Sequence, residues 1–320
     1  MVLPGALPML RPYIGCGISA KHGGRGGSRE MIFAEGLGIP EGPVAMPDGT
    51  WLVVEMAPDR GCVTRIGADG RSKQVLAKTG RPNGLAVDRN GVLWVAESES
   101  PSLLRMTMDG RAEVFLTGCD GEAFLFPNDL AFGPDGALYM TDSGILFRDF
   151  APGGRVRPDW RSLAVDGRVY RIGTLSRAIR LLDRGLRFPN GIAFGPDNNL
   201  YVSETLTGFV YRYQWRDGEI IGGRETLGNV VAPEGSAGMS GPDGMKFGAD
   251  GNLYVAVFGQ GDVTAMGPSG RIVQRIRTEG KAPTNLAFGL PGSKKIYVTE
   301  AQHGTLEVFE VLVDGLPLHG

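Results

Sequence analysis

The sequence predicts an all-β protein that folds as a six-bladed β-propeller with four antiparallel strands in each blade. Residues 188–204, "FPNGIAFGPDNNLYVSE", hold two runs rich in β-branched and aromatic residues around a turn of Gly, Pro, Asp and Asn, which is the pattern of two paired strands. Similar stretches recur along the chain, and a second strand pair follows, as in "GFVYRYQW" and "EIIGGRETL". Four short strands in a repeat of about 40 to 45 residues are typical of a propeller blade.

Six copies of the motif align on the residue after their proline. Three copies are close to the first, "FPNDLAFGPDGALYMTD", "RPNGLAVDRNGVLWVAE" and "GPDGMKFGADGNLYVAV", and two are weaker, "IPEGPVAMPDGTWLVVE" and "APTNLAFGLPGSKKIYVTE". Successive aligned residues are separated by 42, 45, 62, 53 and 41 positions, and they are Glu41, Asn83, Asn128, Asn190, Asp243 and Thr284. Six repeats predict six blades.

The segment "MIFAEGL", residues 31–37, precedes the first copy and is expected to close the ring. The chain ends soon after "GTLEVFEVLV", which leaves the last blade one strand short. Pairing between these two segments would remove two exposed sheet edges. We therefore expect one propeller domain over residues 31–320. Residues 1–30 match a secretory signal poorly, because prolines interrupt their apolar part, and we expect a flexible or loosely packed extension there.

The composition fits this fold and excludes some partners. Glycine supplies 51 of 320 residues and proline 21, as expected for a chain that turns every few residues. A net charge of −2 gives no basic stripe for nucleic acid, and no apolar run reaches the ~18 residues of a membrane span. Three cysteines without C-x-x-C spacing argue against a disulfide framework or a zinc site and favour a cytoplasmic location. We expect a small-molecule substrate.

The six aligned residues predict a metal site. Innermost propeller strands run along the central axis, so the loops that lead into them, here called the leading loops, converge at one mouth of the channel. All six aligned side chains carry oxygen, and carboxylates with amide oxygens suit one hard divalent cation, Ca²⁺ better than Mg²⁺ or Zn²⁺. Asn-Gly is also a common turn pair. However, Glu41 is a poor turn residue, and its carboxylate and that of Asp243 would repel each other without a cation.

The motifs around four of these residues resemble a known family. They are "PEGPV" at Glu41, "FPNDLAF" at Asn128, "FPNGIAF" at Asn190 and "GPDGM" at Asp243. They resemble the senescence-marker-protein-30/gluconolactonase superfamily of six-bladed propellers, which includes sugar lactonases and is related to calcium-dependent phosphotriesterases and paraoxonases. The resemblance covers residues 39–312. It implies that Glu41, Asn190 and Asp243 bind the metal directly, and that Asn128 is either a ligand or a substrate contact.

The remaining candidate residues have less defined roles. Asn83 and Thr284 fit the ring and are expected to contact substrate. His303 either binds substrate or is a structural histidine. The sugar lactonases often carry an arginine where this chain has Phe126, which favours a less polar substrate than a sugar lactone. Carboxylates recur at the end of the second strand of five repeats and either cap loops or form a second ionic shell; they are Glu55, Glu97, Asp142, Glu204 and Glu300.

An insertion follows the second strand of the third repeat. The 62-residue separation there exceeds the shortest separations by about 20 residues, and the excess falls in residues 143–166, "SGILFRDFAPGGRVRPDWRSLAVD". A loop leaving the second strand lies on the same face as the leading loops. Long loops in compact domains are often lids, so the sequence predicts a lid over the mouth, with a solvated excursion as the alternative.

Together these features predict a calcium-dependent hydrolase that opens a lactone or a similar cyclic ester. The resemblance suggests that Asp243 takes a proton from water as the catalytic base and that Glu41 anchors the metal. The same ion and ligands would also suit a phosphotriesterase or arylesterase. A non-catalytic propeller that binds a ligand through its metal-filled mouth is the third alternative.

Overall fold

The computed structural model describes residues 32–233 and 238–320, so the extension expected over residues 1–30 lies outside the described residues. Within them the chain forms six four-stranded antiparallel sheets arranged as a ring, and the six-bladed propeller is confirmed. In every sheet the first strand of the motif is innermost, and each innermost strand contacts the innermost strands of the two neighbouring blades. The aligned residues of the six copies therefore surround one channel.

The strands of the first three blades follow the predicted repeats. Blade 1 contains β2 (Pro40–Ala45), β3 (Trp51–Glu55), β4 (Cys62–Ile66) and β5 (Lys73–Lys78). Blade 2 contains β6 (Pro82–Val87), β7 (Leu93–Glu97), β8 (Ser102–Met106) and β9 (Ala112–Leu116). A small hairpin, β10 (Gly118–Cys119) and β11 (Glu122–Ala123), leads to blade 3, which contains β12 (Pro127–Phe132), β13 (Leu138–Asp142), β14 (Gly167–Ile172) and β15 (Ile179–Leu186).

The other three blades have the same order of strands. Blade 4 contains β16 (Pro189–Phe194), β17 (Leu200–Glu204), β18 (Phe209–Arg216) and β19 (Glu219–Asn229). Blade 5 contains β20 (Gly241–Phe247), β21 (Leu253–Phe258), β22 (Asp262–Met266) and β23 (Ile272–Arg277). Blade 6 contains β24 (Pro283–Phe288), β25 (Lys295–Glu300), β26 (Thr305–Glu310) and, from the start of the described chain, β1 (Ile32–Ala34).

The ring closes as the sequence predicts. Strand β1 pairs antiparallel with β26, with Ile32 opposite Glu307 and Ala34 opposite Leu306. This pairing supplies the outer strand that blade 6 would otherwise lack. It also joins the two ends of the propeller, so that separating the first and last blades requires breaking strand pairing as well as apolar contacts.

The apolar core lies between neighbouring blades. At the first interface, buried Leu52 and Val54 of blade 1 pack with Leu93 and Val95 of blade 2. Similar clusters occupy the other five blade interfaces. Burial of each such aliphatic side chain stabilises the folded state by about 1.5–3 kcal/mol. The ring is therefore stabilised around its whole circumference and provides a rigid frame for the mouth.

The last residues of the chain cross the other mouth of the channel, at the end away from the leading loops. The N–H of Leu316 donates to the carbonyl of Phe247 at 2.8 Å, and Arg89 Nη2 donates to the carbonyl of His319 at 3.3 Å. The ring of His319 lies 6.0 Å from the ring of Phe194. Residues 314–320 thus contact the far ends of the innermost strands, and the propeller is covered at this end by its own chain.

The helical segments are short and belong to the insertion. Helix α1 spans Phe147–Phe150, and single 3-10 turns span Pro152–Gly154 and Trp160–Ser162. In the described part of the chain, no helix has the length and apolarity needed to cross a membrane.

Candidate metal and substrate site

The Asn-Gly pairs of the motif are explained by close packing around the axis. A Cβ atom at Gly84 would collide with the carbonyl of Asn128 in the next blade, and one at Gly191 would collide with the carbonyl of Asp243. Neither glycine has a positive φ, so it is the lack of a side chain, rather than backbone freedom, that these positions require. The glycines allow the innermost strands to converge and bring the preceding polar residues to the mouth.

Three carboxyl groups at this mouth, those of Glu41, Asp129 and Asp243, interact electrostatically with one another. Glu41 is 2% exposed and interacts electrostatically with both Asp129 and Asp243. Burial raises the pKa of Glu41 well above its ordinary value, and the two neighbouring carboxylates raise it further. Burial and then Asp129 likewise raise the pKa of Asp243. Negative charges so close together in a desolvated place are costly unless a proton or a cation compensates them.

Polar partners reduce this cost only in part. Asn285 donates through Nδ2 to Oε1 of Glu41 at 2.9 Å, and the side chain of Asn190 donates to Asp243. The positive charge of Lys246 lowers the pKa values of Glu41 and Asp129, but the net shift of each carboxyl remains upward because of burial. The mouth therefore holds more carboxyl groups than the single positive charge of Lys246 can compensate.

Two amide side chains, in neighbouring blades, are oriented by equivalent pairs of hydrogen bonds. Asn128 donates through Nδ2 to Oγ of Ser143 at 2.8 Å, and Ser143 donates to the carbonyl of Pro189 at 3.0 Å. In the next blade, Asn190 donates to Oγ1 of Thr205 at 3.2 Å, and Thr205 donates to the carbonyl of Pro242 at 2.8 Å. Because each Nδ2 is bonded to a hydroxyl, each Oδ1 remains available as an acceptor or ligand.

The recurring carboxylates at the ends of the second strands cap the leading loops. Glu55 accepts from the N–H of Gly38 at 2.6 Å, and Glu204 accepts from the N–H of Arg187 at 2.6 Å. Glu97, Asp142 and Glu300 do the same in their blades. Of the two roles left open by the sequence, loop capping is the one that these contacts support.

Two leading loops contain strained backbone next to the site. Ile39 and Phe188 have φ angles of 53° and 66°, and each precedes the proline before a predicted ligand, Glu41 or Asn190. The left-handed region is unfavourable for bulky residues and persists only where the surroundings impose it. Here the capping carboxylates hold the loops, so the conformation that presents Glu41 and Asn190 is imposed by the fold.

The other predicted residues are distributed differently around the mouth. Asn83 is buried at the start of β6. Thr284 is also buried, and its hydroxyl donates to the carbonyl of Pro40 at 2.7 Å, so it connects blade 6 to blade 1. His303 lies in the loop after β25 with 45% of its side chain exposed, and its Nδ1 is 3.7 Å from Oε2 of Glu300. Its role in substrate binding remains a prediction.

The insertion packs on the leading loops of blades 3 and 4. Phe150 and Trp160 join a buried cluster with Phe126 and Phe188, and the rings of Phe150 and Phe188 lie 4.5 Å apart. The aromatic side chains of the insertion thus bury part of the protein itself. Phe147 is the exception, because it is only partly buried and its ring lies 3.6 Å from the guanidinium carbon of Arg81.

Sequence reasoning missed five polar residues of the site. Asp129 and Asn285 stand at the position that glycine occupies in four copies, and this departure from the repeat was the available signal. Ser143 and Thr205 each follow a capping carboxylate, as Ser98 does in blade 2. Lys246, near the end of β20, carried no signal in the repeat pattern.

The side chains fit a hard divalent cation. Oε2 of Glu41 and Oδ1 of Asn190 are buried and lack a hydrogen-bond partner among the described residues. Such orphaned oxygens are rare in folded proteins and call for a ligand or ion. In the same residues no three His, Cys, Asp or Glu side chains form a metal-binding group by themselves, so a cation would need carboxylate and amide oxygens together, a combination suited to Ca²⁺.

The fold and the site define a class of protein: a six-bladed β-propeller with carboxylate and amide oxygens gathered at one mouth of its channel. The chain belongs to the SMP-30/Gluconolactonase/LRE-like family, whose model matches residues 39–302. The predicted family resemblance is therefore confirmed.

Three known proteins illustrate the relationship. Diisopropyl-fluorophosphatase of Loligo vulgaris is 31% identical over 293 residues, which cover 84% of this chain and 88% of that protein. Gluconolactonase of Zymomonas mobilis subsp. mobilis is 27% identical over 297 residues, covering 87% and 80%. The solved structure of a gluconolactonase from Xanthomonas campestris superimposes with a TM-score of 0.72 at 26% identity and covers 89% of both chains.

Proposed function

We propose that this protein is a hydrolase that depends on a divalent cation, Ca²⁺ in particular, and opens a lactone or similar cyclic ester at the mouth of its channel. The observation that carries the proposal is the pair of buried, unpartnered oxygens, Oε2 of Glu41 and Oδ1 of Asn190, beside the carboxylate of Asp243. A mouth without an ion would have no need of such an arrangement. The gluconolactonase relatives support a small-molecule ester as substrate.

The residues would hold the cation as follows. Glu41, Asn190 and Asp243 supply direct ligands, and Asn128 either adds a fourth or contacts the substrate. Asn285 keeps the other oxygen of Glu41 in place through its 2.9 Å hydrogen bond. When bound, the cation supplies Lewis acidity that polarises a carbonyl or phosphoryl oxygen.

Asp243 is the proposed general base. Asp243 as a whole residue is partly exposed at the mouth, while Glu41 is almost fully buried. Asp243 is therefore the better placed of the two to accept a proton from an attacking water, and its desolvated surroundings make it a stronger base. Asn83 and His303 are the proposed contacts at the rim, and Thr284 supports the wall of the channel.

Phosphotriester hydrolysis is the second candidate. It is favoured by the fluorophosphatase relative, which matches most of the chain. The same ligands would serve either reaction, because negative charge develops on the carbonyl oxygen of an ester or on the phosphoryl oxygen of a phosphotriester, and a cation would stabilise either.

A substrate panel tests the proposal. Initial rates would be measured by pH-stat on simple lactones, aryl acetates and diisopropyl fluorophosphate, after chelator treatment and again with added Ca²⁺, Mg²⁺ or Zn²⁺. The proposal expects calcium-dependent lactone turnover above the other two classes. Turnover of the fluorophosphate alone would favour the second candidate, and no turnover with any metal would favour a binding protein.

A further inference from the structure

Arg81 occupies an unusual position at the mouth. It immediately precedes Pro82 and Asn83 in the leading loop of blade 2, and its backbone N–H donates to Glu97 at 2.7 Å. The side chain extends toward blade 3, where the guanidinium carbon lies 5.4 Å from the ring centre of Phe126 and 3.6 Å from that of Phe147. It is thus in contact both with a leading loop and with the insertion.

The charge of Arg81 is only partly satisfied by the protein. Nη1 donates to Oγ of Ser98 at 3.0 Å, and in residues 32–233 and 238–320 no carboxylate oxygen lies within 4.0 Å of the guanidinium. Glu97, Glu99 and Glu41 act on it only through the electrostatic field. Burial lowers the pKa of Arg81 to about 10, so the side chain still carries its charge at neutral pH.

The surroundings restrict where a partner can bind. The rings of Phe126 and Phe147 both lie within cation–π distance of the guanidinium carbon and shield that side of the group from water. The remaining N–H groups lie along the edge of the group, and Nε and Nη2 have no acceptor in the described residues. A rigid, planar edge of this kind matches carboxylate oxygens through two parallel hydrogen bonds.

We propose that Arg81 binds a carboxylate substituent of the substrate and so makes the enzyme selective for cyclic esters that carry an acid group. Arg81 lies in a leading loop, one residue before β6, so this subsite is on the same side of the ring as Glu41 and Asn190, and Glu41 acts on it electrostatically. The substrate would span the two, with its ester carbonyl at the cation and its acid group at the guanidinium edge. The inference rests on the proposed function and names the substrate class within it.

Paired substrates test the subsite. γ-Carboxy-γ-butyrolactone and its carboxamide differ only in the charged group, so their KM values isolate the contribution of Arg81. In Arg81→Met the KM for the carboxylate is expected to rise roughly 10- to 100-fold, the effect of losing a charge-assisted hydrogen bond, with the carboxamide within about 2-fold. Arg81→Lys keeps the charge without the planar edge and should give a smaller rise. Arg271→Met, at an exposed position of the turn between β22 and β23, is the matched control.

Binding of inert analogues separates this inference from the proposed function. Cyclopentanecarboxylate and cyclopentanecarboxamide are compared by calorimetry with the calcium-loaded protein. Tighter binding of the carboxylate, lost in Arg81→Met, supports the subsite even if no lactone is turned over. Equal binding of both analogues to the wild type, or equal losses for both in the variant, would overturn it and leave Arg81 as a structural contact between blade 2 and the insertion.

Discussion

Asn190 donates its amide Nδ2 to the hydroxyl of Thr205 at 3.2 Å, and its Oδ1 is buried without a partner among the described residues. The hydroxyl of Thr205 in turn donates to the carbonyl of Pro242, one residue before Asp243. One threonine therefore links two predicted ligands from neighbouring blades. Asn128 and Ser143 repeat the arrangement one blade earlier.

The first prediction concerns this link. Thr205→Val keeps the shape of the side chain but removes the hydroxyl, so Asn190 is no longer oriented toward the mouth. Loss of such an orienting contact typically reduces metal affinity 10- to 100-fold, and we expect a reduction of about this size in the calcium affinity measured by calorimetry. Thr226→Val, at an exposed position on β19, is the control. Unchanged affinity in Thr205→Val would show that Asn190 does not need the hydroxyl.

The second prediction concerns pH. Glu41 and Asp243 have raised pKa values in the metal-free fold. Above the ordinary carboxyl pKa of about 4, the folded state therefore holds protons that the unfolded chain has released, and metal-free stability falls as the pH rises toward the folded pKa values. Calcium replaces these protons, so the stabilisation of the folded state by calcium should increase with pH. At a calcium concentration 100-fold above Kd, this stabilisation should be about 2.7 kcal/mol.

Calorimetric melting at pH 5 and pH 8, with chelator and with calcium, measures this effect. The increase in Tm caused by calcium is expected to be larger at pH 8. The double variant Glu41→Gln, Asp243→Asn should show little calcium-induced change in Tm at either pH. An equal calcium-induced shift at both pH values in the wild type would contradict the prediction.

Most of the fold could be predicted from the sequence, because a repeated hairpin motif determines the number of blades and leaves one strand missing for β1 to supply. The positions of Glu41, Asn190 and Asp243 at one mouth follow from the same repeat. The partners of these residues could not be predicted so easily. Asn285 contacts Glu41 across the closure of the ring, 244 positions away in the chain, and no local pattern contains such information.

The insertion shows a second limit of sequence reasoning. Its aromatic residues suggested a cover for a ligand, whereas Phe150 and Trp160 mainly bury Phe126 and Phe188. Aromatic composition indicates that something apolar is covered, but only the three-dimensional arrangement shows what it is.

The third prediction is that the insertion affects substrate binding and not calcium binding. Replacing residues 148–160 by a short Gly/Ser linker removes the side chains that cover Phe126 and Phe188 but none of the proposed ligands. KM values across the lactone and ester panel should change, while calcium affinity stays near that of the wild type. Identical kinetics in the shortened variant would mean that the insertion has no part in the site.

The fourth prediction concerns the opposite mouth. Deleting residues 314–320 removes backbone hydrogen bonds to Phe247 and Ala249 and the contact of His319 with Phe194. We expect a loss of stability on the order of 2 kcal/mol, measured by urea denaturation of the calcium-loaded protein. The kcat should be unchanged, because these contacts lie at the far end of the channel. A large fall in kcat at full calcium occupancy would show that the tail supports the site directly.

The most direct test of the account compares Asp243→Asn with Glu41→Gln in one experiment, a calcium titration of the initial rate of lactone hydrolysis. Asp243→Asn keeps an oxygen for the cation but cannot accept a proton, so its rate should remain at least about 100-fold below the wild type at saturating calcium. Glu41→Gln should need more calcium for half-maximal rate and then recover most of the wild-type turnover. Full recovery of both variants at high calcium, or rates in the wild type that do not depend on calcium, would contradict a calcium-dependent hydrolase with Asp243 as its base.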